Sequence, residues 1–322
     1  MSASADSRLR VDWRFIGSAV AHWFLPIWFG IFAVLTVRHF AVNDTIGQDL
    51  RIYRHAAEVA LAGGNPWAIE PGLFPFAAPP PTLLLYVPVT LLPLPIATVL
   101  MMSLGLAAAA WAIRRLDLPL WWLLFPPLFD ALIVGNPDAL VLPLLLVRGP
   151  LAGLAAVLKV YALVPLVLQG RWRPIVVAVV VCLLTLPLVP TFLASLGTVT
   201  AVLNLSSDLS AWGTWLMVPV IGALYVLRHH GASWLVVPAL WPNTQSQYGT
   251  MALPAVHRYP LAAAIIGLNT PLLPPLAVIV MAVEVWIRSR RAGDDAEVEQ
   301  VPPPRLATEA GDAHGGIGRS SR

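Results

Sequence analysis

Charged positions are few in this chain, and their spacing divides it into long apolar stretches. No Asp, Glu, Lys or Arg occurs in 15–37, 71–113, 174–207, 209–227 or 259–283, and shorter charge-free runs cover 118–129, 139–147, 149–158 and 160–170. A membrane-spanning helix needs about 20 mostly apolar residues. The run 71–113 is therefore long enough for two spans, with Pro93-Leu94-Pro95 as the place to turn. The pattern predicts an all-α chain of about eight to ten transmembrane or re-entrant helices, several short or broken by proline. One segment reads differently. In 48–67, QDLRIYRHAAEVALAGGNPW, the residues Leu50, Tyr53, Ala57 and Leu61 recur at helical spacing. Arg51, Arg54, His55 and Glu58 form the opposite stripe. Gly63-Gly64 followed by Pro66 is a helix stop. An amphipathic helix of about three to four turns is predicted here.

Composition turns this pattern into a class. Of 322 residues, 58% are hydrophobic and 11% charged, where a globular chain carries roughly 25% charged, and the mean hydropathy is +0.75. That excludes a soluble cytosolic enzyme, a nucleic-acid-binding module and a disulfide-stapled secreted domain. The single cysteine, Cys182, forms no intramolecular bridge. The expectation is a polytopic integral membrane protein. Arg8, Arg10 and Arg14 precede the run Phe15–Val37, which is too long for a signal-peptide core. The positive-inside bias then puts residues 1–14 in the cytoplasm and makes 38–78 the first extracytoplasmic loop, carrying the amphipathic helix on the outer membrane interface. Residues 15–287 form the transmembrane domain. The tail 288–322, with Arg290-Arg291, then Asp294, Asp295, Glu297 and Glu299, and Pro302-Pro303-Pro304, is expected as a disordered cytoplasmic end.

The few charges inside this frame are the candidate chemistry. Asp49 has two readings from its position: an N-cap for the interface helix, or a general base or metal ligand at the membrane–water boundary. Arg51 and Arg54 are either interfacial arginines or a phosphate-gathering pair. Lys159 is the only lysine in the chain and interrupts what reads as an otherwise apolar helix. An ionisable group there points to function, as a point charge for a phosphate, against a side chain snorkelling to an interface. Asn136 and Asp138 lie in a Gly-Asn-Pro-Asp break that reads as a polar pocket or a plain turn, and Asp130 reads as half of an ion pair. The polar stretch Trp241–Tyr248, with Gln245, Gln247 and Tyr248, suits sugar hydroxyls, or is a loop with an interfacial Trp. His229-His230 has no acidic or Cys partner at ligand spacing, so no metal is expected. There is no phosphate-binding glycine loop, so neither a nucleotide nor another cofactor is expected.

Five blocks in order carry a resemblance. DLxxYxxAAxxALxGGxPW (Asp49 to Trp67) resembles the start of the GT-C membrane glycosyltransferases. FPFAAPPPTLLLYVPVTLLP (Phe74 to Pro93), GNPDALVLPLLL (Gly135 to Leu146), AGLAAVLKVYALVPLVL (Ala152 to Leu168) and LWPNTQSQYGTMALP (Leu240 to Pro254) resemble glycosyltransferase family 87, the polyprenyl-phosphate-mannose-dependent alpha-mannosyltransferases. The blocks lie within residues 45–255. The resemblance implies a GT-C fold with Asp49 as general base. It also adds weight to Lys159 as the donor-phosphate ligand. The chain departs from the family where Gly-Gln-x-Asn is common and Gly135-Asn136-Pro137-Asp138 stands, and where a His often precedes the late Tyr but Gln247 precedes Tyr248. The nearest histidine there is His257. These departures bear on the acceptor and the sugar more than on the reaction class.

The expected function is transfer of a sugar, mannose in the family, from a polyprenyl-phosphate donor to an extracytoplasmic glycolipid or cell-envelope glycan. Asp49 would be the base, with Arg51, Tyr53, Arg54, Asn136, Asp138, Lys159, Gln245, Gln247, Tyr248 and His257 binding substrate. The expected partners are the lipid-linked donor, the acceptor and membrane lipids, with no nucleic acid. A flippase of lipid-linked sugars, or a non-catalytic GT-C-like protein, is the alternative.

Overall fold

In the computed structural model, residues 18, 20–69, 75–205 and 209–299 are described. The N-terminal segment 1–14 and most of the expected tail, residues 300–322, lie outside them. Every regular element among the described residues is helical. In chain order the α-helices are α1 (Leu25–Val42), α2 (Gln48–Leu61), α3 (Pro80–Thr90), α4 (Leu94–Arg115), α5 (Pro126–Val134), α6 (Asp138–Leu146), α7 (Gly153–Leu158) and α8 (Leu163–Leu168). They continue as α9 (Trp172–Leu183), α10 (Val189–Ala194), α11 (Leu196–Leu205), α12 (Met217–Val226), α13 (Ala232–Leu240), α14 (Leu253–Val256), α15 (Pro260–Gly267) and α16 (Leu273–Glu299). The chain divides into two units, Met1–Val283 and Glu284–Arg322. In the second, Arg288 pairs with Glu284 and the Arg290 guanidinium lies 4.3 Å from the Trp286 ring.

Among the described residues, two helices are long and apolar enough to cross a membrane: His22–Val42, which is α1 with the end of a preceding π-turn, and α4. Trp172–Leu183 and Leu186–Ala194 qualify together as a third segment, bent by 61°. The other apolar runs are divided into shorter helices, so the structure has fewer full-length spans than the eight to ten segments counted in the sequence. Proline accounts for much of the division, because it lacks the backbone donor and clashes with the preceding turn. Pro95, Pro126-Pro127, Pro190 and Pro260 stand in the first turns of α4, α5, α10 and α15, while Pro88, Pro143 and Pro238 lie inside the short helices α3, α6 and α13.

The two long helices are apolar on all sides. In α1 only Leu25, Phe29, Ala33 and Thr36, about one turn apart, are buried, while Trp23, Ile27, Val34 and Leu35 are exposed nearby. A helix with that surface needs an apolar solvent. Its buried stripe is anchored by Phe29 against Trp121, Trp122 and Phe125, and by Trp28 Nε1 donating to the Gly267 carbonyl at 2.9 Å. In α4 the buried stripe is Ala97, Gly105, Ala109, Ala112 and Ile113. Its small residues allow close approach to neighbouring backbone.

The amphipathic helix forms where its pattern predicts. Gly47, in the left-handed region at φ 67°, opens α2, and its N–H donates to the Ile133 carbonyl at 3.0 Å. Leu50, Tyr53, Ala56 and Ala57 are buried, with Tyr53 packed on Phe76 and on Tyr86 of α3. Leu61, counted in the apolar stripe, is exposed because the helix ends there. The prolines also turn the chain as expected: α3 stops at Thr90 and α4 begins at Leu94.

Candidate functional site

Segments far apart in sequence bring their polar side chains to one buried place beside the first turn of α2. The first piece is the end of α5. Gly135, at φ 70°, reverses the chain, and a Cβ built there would lie 3.2 Å from Leu50 Cβ. The break is therefore pressed against α2, which is why a residue without a side chain stands there. Asn136 follows. Its Oδ1 accepts the Asp138 N–H at 2.9 Å, and its Nδ2 donates to Asp49 Oδ2 at 2.6 Å.

Asp49 is therefore not the N-cap of its helix. Gly47 holds that position, and Asp49 lies in the first turn. Burial pushes its pKa up from the ordinary 3.8 to about 6. The positive charge of Lys159 and the Asn136 hydrogen bond pull it down, while Asp138 and Asp130 add repulsion. A carboxylate poised near neutrality suits proton abstraction.

Lys159 does not sit mid-helix. It is an extended residue, φ −144° and ψ 115°, between α7 and a 3-10 turn at Val160–Ala162. The break frees the carbonyls of Val157 and Leu158. The Thr82 hydroxyl of α3 lies 3.1 and 3.0 Å from them and donates into that pair. Lys159 Nζ reaches 3.7 Å from Asp138 Oδ2 and lies 5.7 and 5.9 Å from the ring centres of Tyr53 and Tyr248. Asp138 is fully buried. Tyr161 donates to its Oδ1 at 2.5 Å, while among the described residues its Oδ2 accepts no hydrogen bond and pairs with the lysine alone by charge.

The polar stretch after α13 closes the site from another side. Ser246 and Gln247 both donate to Asp130 Oδ2, at 2.5 and 2.8 Å, which ties the 3-10 helix Ser246–Ala252 to α5. Gly249 permits that contact: a Cβ there would stand 2.7 Å from Pro127 Cγ. The Tyr248 and Tyr161 rings pack with centroids 4.2 Å apart, tilted by 47°.

The structure thus brings Asp49, Tyr53, Asn136, Asp138, Lys159 and Tyr248 together, with Gln247 held by Asp130 close by. Other candidates serve locally. The Arg51 guanidinium donates to the carbonyls of Asp44 and Ile46, both at 2.8 Å, and fastens the turn before α2. Arg54 pairs with Glu58 at 3.0 Å and reaches the Thr90 carbonyl of α3 at 3.4 Å. Gln245 begins the 3-10 turn, its carbonyl accepting the Tyr248 N–H. Both ring nitrogens of His257 are engaged within its own turn: Nδ1 faces the Leu253 carbonyl and Nε2 accepts from Arg258. Tyr161 and Tyr86 are the cluster members not singled out in the sequence, and only the nearness of Tyr161 to Lys159 marked either of them, whereas Ser246 belongs to the polar stretch read as a binding segment. Among the described residues, no three His, Cys, Asp or Glu side chains are grouped to hold a metal ion.

The chain matches no family model, no curated protein and no solved structure. The site's own geometry and the sequence resemblance are what bear on function.

Proposed function

We propose that the chain is an integral membrane glycosyltransferase of GT-C architecture. It would move a sugar, mannose by the family resemblance, from a polyprenyl-phosphate donor to a glycolipid or cell-envelope glycan on the extracytoplasmic side. The observation that carries this reading is geometric: Asp49 is bonded to Asn136, in the same short break whose Asp138 pairs with Lys159, the only lysine of the chain. The cluster lies just after a helix able to cross a membrane.

In this mechanism Asp49 takes the proton of the acceptor hydroxyl. The hydroxyl oxygen bonds to the anomeric carbon as the bond to the donor phosphate oxygen breaks. Lys159 stabilises the negative charge left on that phosphate, and Tyr53 and Tyr248 confine the ammonium group. The apolar exposed faces of α1 and α4 suit a donor that arrives sideways from lipid.

The test is conversion. Purified chain in proteoliposomes is given labelled polyprenyl-phosphate-mannose and a glycolipid acceptor extract. Appearance of the label in acceptor, with loss of donor, supports the reading. Movement of intact donor between leaflets without conversion would overturn it in favour of a flippase.

A further inference from the structure

The amide of Asn136 has only one workable orientation. Its Oδ1 faces the Asp138 N–H, which can only donate, so its NH₂ must face Asp49. The side chain is 6% exposed. The residue before it is fixed by the left-handed turn at Gly135 and by contact with Leu50, one residue from Asp49. The turn that precedes Asp49 is bonded to the end of α5 through Gly47 and Ile133. Asn136 thus reads the position of α2 at its backbone and that of the Asp49 carboxylate at its amide. Among the described residues no other hydrogen bond to that carboxylate exists.

We infer that Asn136 is a positioning residue for Asp49: it holds Oδ2 and leaves Oδ1 as the oxygen that receives the acceptor proton. This replaces its expected role as a substrate contact, and it rests on the reading of Asp49 as the base. The break Gly135–Asp138 then has two faces. Asn136 orients the base, and two residues on Asp138 holds the lysine, so one short turn sets the distance between the two charges.

The groups that act on Asp49 from the surrounding elements are Lys159 after α7, Asp138 of α6, Asp130 of α5, Tyr86 of α3 and Tyr53 on its own helix.

The test uses the full chain in lipid nanodiscs, with Asp49 protonation followed by infrared difference spectroscopy against Asp49→Asn. Asn136→Leu removes both hydrogen bonds. Asn136→Ser keeps a hydroxyl that can accept the Asp138 N–H but is too short to reach Asp49, and it carries the test if the Leu variant does not accumulate. A hydrogen bond to a charged group is strong enough that the midpoint should rise by about one pH unit, a tenfold gain in proton affinity. An unchanged midpoint in the folded variant would overturn the inference. In the conversion assay the acid limb of the rate should move by the same amount. A shifted midpoint in a chain that converts no donor would uphold the positioning role and refute the transferase reading.

Discussion

Replacing Lys159 with Met leaves the Asp138 carboxylate buried with no compensating charge. The pair is 3.7 Å apart, with side chains 10% and 0% exposed. At an effective dielectric of about 20, unit charges at that separation attract by about 4.5 kcal/mol. Removing one partner of a buried pair costs about 3–5 kcal/mol, mostly the penalty of the stranded charge. Lys159→Met should therefore lower unfolding free energy by about 3–5 kcal/mol. Adding Asp138→Asn should restore stability, because the neutral amide needs no counter-ion and still accepts from Tyr161. The assay is equilibrium unfolding in detergent micelles, followed by tryptophan fluorescence, for both single variants and the double. The double variant should cost at least about 2 kcal/mol less than the sum of the singles. Additive losses would refute the claim that the two charges are coupled.

Further outcomes follow from individual contacts. Because the pKa of Asp49 is raised in the folded chain, folding favours its protonated form, and stability falls as pH rises from about 4 through about 6. Asp49→Asn should accordingly stabilise the chain at pH 7 by up to about 3 kcal/mol and have little effect below pH 4. Unfolding titrations at both pH values check this. Sugar transfer should decline as pH falls through about 6, where the base becomes protonated. Gly135→Ala, at φ 70° and 3.2 Å from Leu50 Cβ, should cost about 1–2 kcal/mol and shift the Asp49 titration, since it displaces Asn136. Gly153→Ala should cost about 3 kcal/mol, because its Cβ would stand 2.1 Å from the Pro174 carbonyl oxygen where α7 meets α9. Thermal unfolding of each variant measures these losses.

The local features were legible in the sequence where chemistry is local. Alternating stripes and a Gly-Gly stop describe the helix at 48–61, and the prolines mark where α3 ends and α5 begins. The charges that escape the apolar background, Asp49, Asp138 and Lys159, belong to the cluster, and the two that are buried, Asp138 and Lys159, pair with each other because burying such groups requires partners. The pairing itself was not legible. The bond between Asn136 and Asp49 joins residues 87 apart, and that of Gln247 to Asp130 joins residues 117 apart. The apolar flanks also misplaced Lys159 in a helix, because an extended residue between two short helices keeps the same flanks. Arg51 looked like a phosphate ligand by charge, yet two nearby carbonyls with no helical partner satisfy it. A side chain's nearest backbone competes with any substrate, and residue type alone does not reveal the outcome.

The central claim is that Asp49 removes a proton during sugar transfer. Its most direct test is a single-turnover comparison of the chain with Asp49→Asn, using labelled polyprenyl-phosphate-mannose at saturating donor. Loss of a general base is expected to slow transfer by about 10²–10⁴-fold, with donor binding unchanged and stability at pH 7 maintained or raised. Transfer at the same rate by the folded Asp49→Asn chain would contradict the account.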